Sequence, residues 1–219
     1  MPEEIVPDLI WKMDGVLDET LLDSILRSIE SGKDNAKLVT SENTKPKFCY
    51  SGFHYLHLSL EERLRREAYR SILEALNSVA PDLSQGTDLN EDLSYSSLFL
   101  KGFSKGSHYH LHAEDRNVFG SIAYILYLSD ETTGRIIFPK EGDLNKVANQ
   151  TELENWYTMS DYLKENQTVP RYLNQTLELF PCKNQLIAFR IGLVHKVEEF
   201  QGPHTGRYCF TGFPGATIP

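Results

Sequence analysis

Two stretches near the start of the chain space their apolar residues for a helix. After Asp18, the residues Leu21, Leu22, Ile25, Leu26 and Ile29 recur at helical intervals and stop near Gly32, which predicts an amphipathic helix with an acidic cap and a glycine stop. The capping-box pair Ser59 and Glu62 introduces a second stripe, Leu64, Ala68, Ile72, Leu73 and Leu76, that ends before Pro81. Between the two lies an irregular aromatic stretch, FCYSGFHYLHL, that follows neither period. Beyond the loop PDLSQGTDLNED the pattern changes. The segments SSLFLKGF, HYHLHAE, SIAYILYL, RIIF, TLELF, QLIAF, VHKVEEF and RYCFTGF are short, aromatic or β-branched, and separated by Gly, Pro, Asp or Asn, as in an all-β sandwich or barrel. The two helices are expected to cover one face of it. One segment, TELENWYTMSDYLKENQ, breaks the series and reads as a helical or irregular insertion overhanging the barrel mouth, with Trp156, Tyr157, Tyr162, Arg171 and Tyr172 as a lid or substrate wall.

A chain of 219 residues suffices for one substantial core. Its net charge of -9 argues against a broad footprint on nucleic acid or on an anionic membrane. The acidic N-terminus, with its apolar residues broken by Pro7, Asp8 and Lys12, lacks the features of a signal peptide, and no apolar run is long enough to span a bilayer. Cys49, Cys182 and Cys209 are odd in number and widely spaced, unlike a disulfide or zinc framework, so a reduced, cytoplasmic setting is expected.

Candidate chemistry centres on His112 and Glu114. Two apart on a strand, they project to one face, while Leu111 and Ala113 face the other. Together with His195 in a later strand they offer two imidazoles and one carboxylate, a set that leaves three positions of an octahedral ion open and is used by non-heme Fe(II) oxygenases. Neither half of the set is specific by itself. His-x-Glu also describes two solvated strand residues, and an isolated histidine among apolar neighbours is more often structural. His108 and His110 share the parity of His112 and are rival ligands.

Several ordered motifs sharpen this reading: Gly106, YHLHAE, Tyr127-Leu128, TGRIIFP, HKV and GRYCFTGF, from Leu98 to Phe213. In this order the chain resembles the Fe(II)/2-oxoglutarate-dependent dioxygenases, in their prolyl 4-hydroxylase-like branch. The resemblance implies a mainly β fold, a double-stranded β-helix (jelly roll, cupin-like) over about 95–215 with helical support at 16–80, forming a single domain over 1–219. His112, Glu114 and His195 then match the iron ligands. Arg207, twelve residues after His195, matches the basic residue that holds the far carboxylate of 2-oxoglutarate, for which its planar fork is suited. Tyr127 matches a cosubstrate tyrosine, Thr211 on the strand of Arg207 offers a hydroxyl, and Tyr109 lines the pocket or supports the metal strand.

Two positions depart from the family pattern. Glu114 stands where an aspartate is usual, and Gly102 and Phe103 stand where the family often has a tyrosine. The carboxylate at residue 114 argues against the related halogenases, which leave that coordination position to halide. The activity implied is hydroxylation of an unactivated C–H bond in a prolyl peptide, a free amino acid or another small metabolite. Fe(II), 2-oxoglutarate and O2 are the expected cofactor and cosubstrates, with ascorbate as an accessory reductant. The competing readings are a jelly-roll binding protein without turnover, motivated by Glu114, and a cupin-like metal oxygenase that does not use 2-oxoglutarate.

Overall fold

A computed structural model describes residues 3–40, 53–79, 97–130, 133–165, 168–202 and 207–215. The N-terminal part holds β1 (Glu3–Val6), β2 (Ile10–Asp14), α1 (Glu19–Gly32), β3 (Lys37–Thr40), β4 (Phe53–His57) and α2 (Glu62–Val79). Then follow β5 (Phe99–Phe103), β6 (His108–His112), a short α3 (Arg116–Phe119), β7 (Ile122–Tyr127) and β8 (Ile136–Phe138). The chain continues through α4 (Leu144–Val147), α5 (Gln150–Glu165), β9 (Leu177–Leu179), β10 (Gln185–Arg190), β11 (His195–Val197) and β12 (Arg207–Gly212). Each of the eight strand-like segments beyond the loop supplies one of β5 to β12.

The strands form one curled antiparallel sheet in the order β1-β2-β10-β7-β12-β5-β4-β6-β11-β8-β9. One edge of β4 carries β3, and the other pairs first with β6 and then with β5, so β4 closes the corner where the sheet turns back on itself. The larger half, β2-β10-β7-β12-β5, thus faces the smaller half, β6-β11-β8-β9, in a double-stranded β-helix. Alternation sorts the core. On β7, Ala123, Ile125 and Tyr127 point between the halves, while Ile122, Tyr124 and Leu126, with Leu128 just beyond the strand, face the helices. Leu22 and Ile25 of α1 and Ile72 and Leu76 of α2 complete that outer layer. Asp18 caps α1, accepting from the Leu21 N–H at 2.9 Å. In contrast, α2 begins at Glu62, so Ser59 lies too far upstream to be its N-cap.

Three features differ from the pattern reading. The N-terminal strands carry no alternation, because β2 buries both faces: Ile10 joins the inner core and Trp11 the helix-facing layer. The aromatic stretch FCYSGFHYLHL contains β4, and part of it, with Cys49, lies outside the described residues. The insertion does not overhang the mouth. It forms α5, whose Trp156, Met159 and Leu163 pack on Leu111, Ala113 and Val194 behind the smaller half. Lys196 fixes it there by an ion pair with Glu152 at 3.2 Å. The physical reason is that Leu111, Ala113 and Val194 form an apolar patch on the outer face of the smaller half that must be covered. Trp156, Tyr157, Tyr162, Arg171 and Tyr172 accordingly lie outside the lining of the central cavity. No helix among the described residues is long and apolar enough to cross a membrane.

Candidate metal centre

A bulge on β6 decides which histidines meet. His195 pairs with His112 and Val197 with Tyr109, so β6 spends one residue more than β11 between the two pairs. Such an extra residue reverses the facing of everything beyond it. Tyr109 therefore points inward before the bulge and His112 after it, with their rings 5.7 Å apart. His108 and His110 stack on one another at 4.5 Å on the opposite face, where Glu152 and Lys196 act on His110. The expected rivalry of His108 and His110 is thereby removed, because strict alternation does not hold through this strand.

His112, Glu114 and His195 are buried, and their donor atoms lie within 4.8 Å of one another. Glu114 Oε1 is 3.4 Å from His112 Nε2 and 3.6 Å from His195 Nε2. Each imidazole is oriented by the carbonyl two residues before it: His112 Nδ1 lies 2.7 Å from His110 O, and His195 Nδ1 lies 2.9 Å from Leu193 O. A carbonyl can only accept, so Nδ1 carries the proton and the Nε2 lone pair faces the shared space, as metal ligation requires. Burial pulls the His195 pKa down to about 4 against the opposing pull of Glu114. Burial pushes Glu114 upward, but His195 and His112 outweigh it and bring the carboxyl to about 2. At neutral pH, then, His195 is neutral and Glu114 ionised, the forms that bind a cation. Asp115 is buried beside them but engaged elsewhere: it caps α3 through the Asn117 N–H at 2.8 Å and accepts from Thr168 Oγ1 at 2.6 Å.

Between the halves lies a cavity of about 210 Å³, lined by these three residues and by Tyr109, Arg207 and Thr211 among others. Arg207 is 1% exposed. Its guanidinium lies over the rings of Phe103 at 4.5 Å and Tyr127 at 5.0 Å, and Nη1 donates to Gly134 O. Gly134 has φ +71°, and a Cβ there would collide with Nη1, which accounts for the glycine of TGRIIFP. No carboxylate among the described residues forms an ion pair with Arg207. Its Nε, the Tyr127 hydroxyl, Thr211 Oγ1 and Glu114 Oε2 are all buried without a hydrogen-bond partner among the described residues. Tyr127 lies under Arg207 rather than in the cavity wall. Buried polar atoms are normally satisfied, and a buried charge left alone is costly. These orphaned groups therefore fit a divalent cation at the triad and an anion with hydrogen-bonding oxygens beside Arg207.

Lys101 was not legible as a site residue. It projects from β5 into the same cavity as Phe99 and Phe103, and burial pulls its pKa down to about 8. The signal was present in FLKGF, where a lysine takes the inward parity between two phenylalanines.

No protein-family model matches the sequence, and no curated protein matches it. Solved structures do share the fold. A prolyl-4-hydroxylase from Pseudomonas putida superposes with a TM-score of 0.56 at 13% identity, covering 98% of this chain and 96% of that one. A prolyl hydroxylase from Trichoplax adhaerens, solved with a hypoxia-inducible-factor peptide, gives 0.54 at 13% identity over 95% and 84%. The non-heme alpha-ketoglutarate-dependent carbocyclase SnoK gives 0.53 at 12% identity over 92% and 78%. The chain thus has the double-stranded β-helix of these proteins along nearly its whole length.

Proposed function

We propose that the chain is an Fe(II)- and 2-oxoglutarate-dependent dioxygenase of the prolyl 4-hydroxylase-like branch, hydroxylating an unactivated C–H bond. The observation that carries this reading is the buried Arg207, paired with no carboxylate among the described residues, in the cavity that also holds the triad. His112, Glu114 and His195 would hold the iron, which supplies the oxygen chemistry when bound. Arg207 takes the far carboxylate of 2-oxoglutarate through its free edge, with the Thr211 hydroxyl as a further donor, while Tyr127 supports the guanidinium from beneath. Tyr109 walls the pocket beside the metal strand, and Phe189, Ile125 and Val197 keep the site apolar, which strengthens each charge interaction inside it.

O2 is the second cosubstrate in this reading, with ascorbate as accessory reductant. The primary substrate is a prolyl peptide, a free amino acid or another small metabolite, acted on by one domain spanning 1–219 in the cytoplasm. Glu114, the main motive for a non-catalytic reading, reaches both imidazoles despite its added methylene. Anaerobic titration with Fe(II) and then 2-oxoglutarate tests the proposal. A saturable metal-to-ligand charge-transfer band requiring both components is expected. Iron binding without such a band would favour a metal oxygenase that does not use 2-oxoglutarate, and absence of iron binding would reject the ligand assignment.

A further inference from the structure

Lys101 is a cationic group of the cavity to which the oxygenase reading gives no partner. Its Nζ lies over the rings of Tyr109 at 4.7 Å, Tyr55 at 4.9 Å and Phe99 at 5.5 Å. Aromatic faces orient an ammonium but do not neutralise it, and no carboxylate among the described residues forms an ion pair with it. Register fixes its place. Phe103 stands opposite Arg207, Lys101 opposite Cys209 and Phe99 opposite Thr211. Lys101 therefore lies two residues, about 7 Å along the sheet, from the rung of Arg207, toward Gly212.

Charge balance gives this position a consequence. A divalent ion held by Glu114 leaves one positive charge at the triad, and Arg207 and Lys101 each add another. The 2-oxoglutarate dianion cancels two of the three, at the metal and at Arg207. One is left over at Lys101, inside an apolar cavity where an unmatched charge weighs heavily. The same end of the sheet carries a second recess formed by Arg116, Arg171, Arg190 and Asp8, with Arg190 opposite Ile122 and Gly212 opposite Tyr124. Three arginines there give an acidic protein a local field that draws anions to the cavity.

Resting on the oxygenase reading, we propose that Lys101 receives a carboxylate of the primary substrate. The substrate is then a small carboxylic acid rather than an internal residue of a long peptide. Lys101 is a specificity-determining residue, and the aromatic rings around it hold its ammonium toward the incoming acid.

The test uses the Fe(II)/2-oxoglutarate complex of the full chain, with N-acetyl amino acids, N-acetyl-L-proline first, against their primary amides, which match them in shape but lack the charge. Perturbation of the charge-transfer band reads binding, and succinate release reads coupling. The acids should perturb the band at concentrations at least about tenfold below those of the amides. Lys101→Met should erase that preference, a loss of about 10- to 100-fold for a charge-assisted bond, while half-saturation by 2-oxoglutarate moves less than about twofold on the same scale. Lys101→Arg should restore part of the preference. Equal potency of acids and amides, no effect of any acid, or a tenfold loss of 2-oxoglutarate affinity in Lys101→Met would each overturn the assignment. Absence of the band in the unmodified protein would instead remove the oxygenase reading, and this inference with it.

Discussion

Glu114 sits where the family pattern favours aspartate, yet its carboxylate lies between the two imidazoles at 3.4 and 3.6 Å. The longer arm is thus matched to this backbone, and Glu114→Asp should weaken iron binding on the order of tenfold, as small displacements at metal sites do. Competition with a chromophoric chelator would measure it. By the same assay His195→Ala should cost well over the roughly 100-fold upper range for loss of an outer-shell partner. Arg207→Ala should leave iron in place and weaken 2-oxoglutarate by about 10- to 100-fold or more, the worth of its charged hydrogen bonds. His195 also predicts a pH dependence for the metal-free protein. Its pKa falls from 6.5 in the unfolded chain to about 4 in the fold, so between these values the unfolded chain binds the proton and the folded one does not. Stability therefore declines as pH drops from 6.5 toward 4. Denaturant midpoints of chelator-treated protein at pH 7, 5.5 and 4.5 should fall in that order, and His195→Gln should flatten the trend.

At the scale of elements, short aromatic or β-branched runs separated by Gly, Pro, Asp or Asn reveal β5 to β12, because such residues pack on a pleated surface and the separators suit the turns between strands. The bulge in β6 was not legible, since an added residue leaves no mark in composition and shows only in the pairing with β11. It nevertheless selects His112 over His108 and His110. The insertion is legible in the sequence as helical or irregular, but its docking face is not, because an aromatic stripe fits a lid and a buried helix equally well. Its location yields a separable prediction. Trp156 is 1% exposed on the outer face of the smaller half, so Trp156→Ala should cost about 3–5 kcal/mol of stability and leave the 2-oxoglutarate affinity of the folded fraction unchanged. Equilibrium unfolding beside the charge-transfer titration checks both halves of that statement.

For the whole molecule, the triad joins three separated pieces: the end of β6, the turn before α3, and the start of β11. Ligands that bind only this assembled state must stabilise it, by about 2.7 kcal/mol for each ligand present at 100 times its dissociation constant. Thermal unfolding should accordingly shift upward with Fe(II) or a redox-inert divalent substitute, and again with 2-oxoglutarate, the second increment vanishing in Arg207→Ala. The sequence by itself determined the strand series, both long N-terminal helices, and the candidacy of His112, Glu114, His195 and Arg207, because residue type, turn punctuation, helical spacing and ordered motifs are local properties of a chain. Only the tertiary structure decided that three donors separated by up to eighty-three residues converge within 4.8 Å, that Arg207 is buried with no carboxylate paired to it among the described residues, and that Lys101 shares its cavity. Those facts depend on register, on the bulge, and on which face each element buries, and these are set by the pairing of distant segments rather than by any one of them.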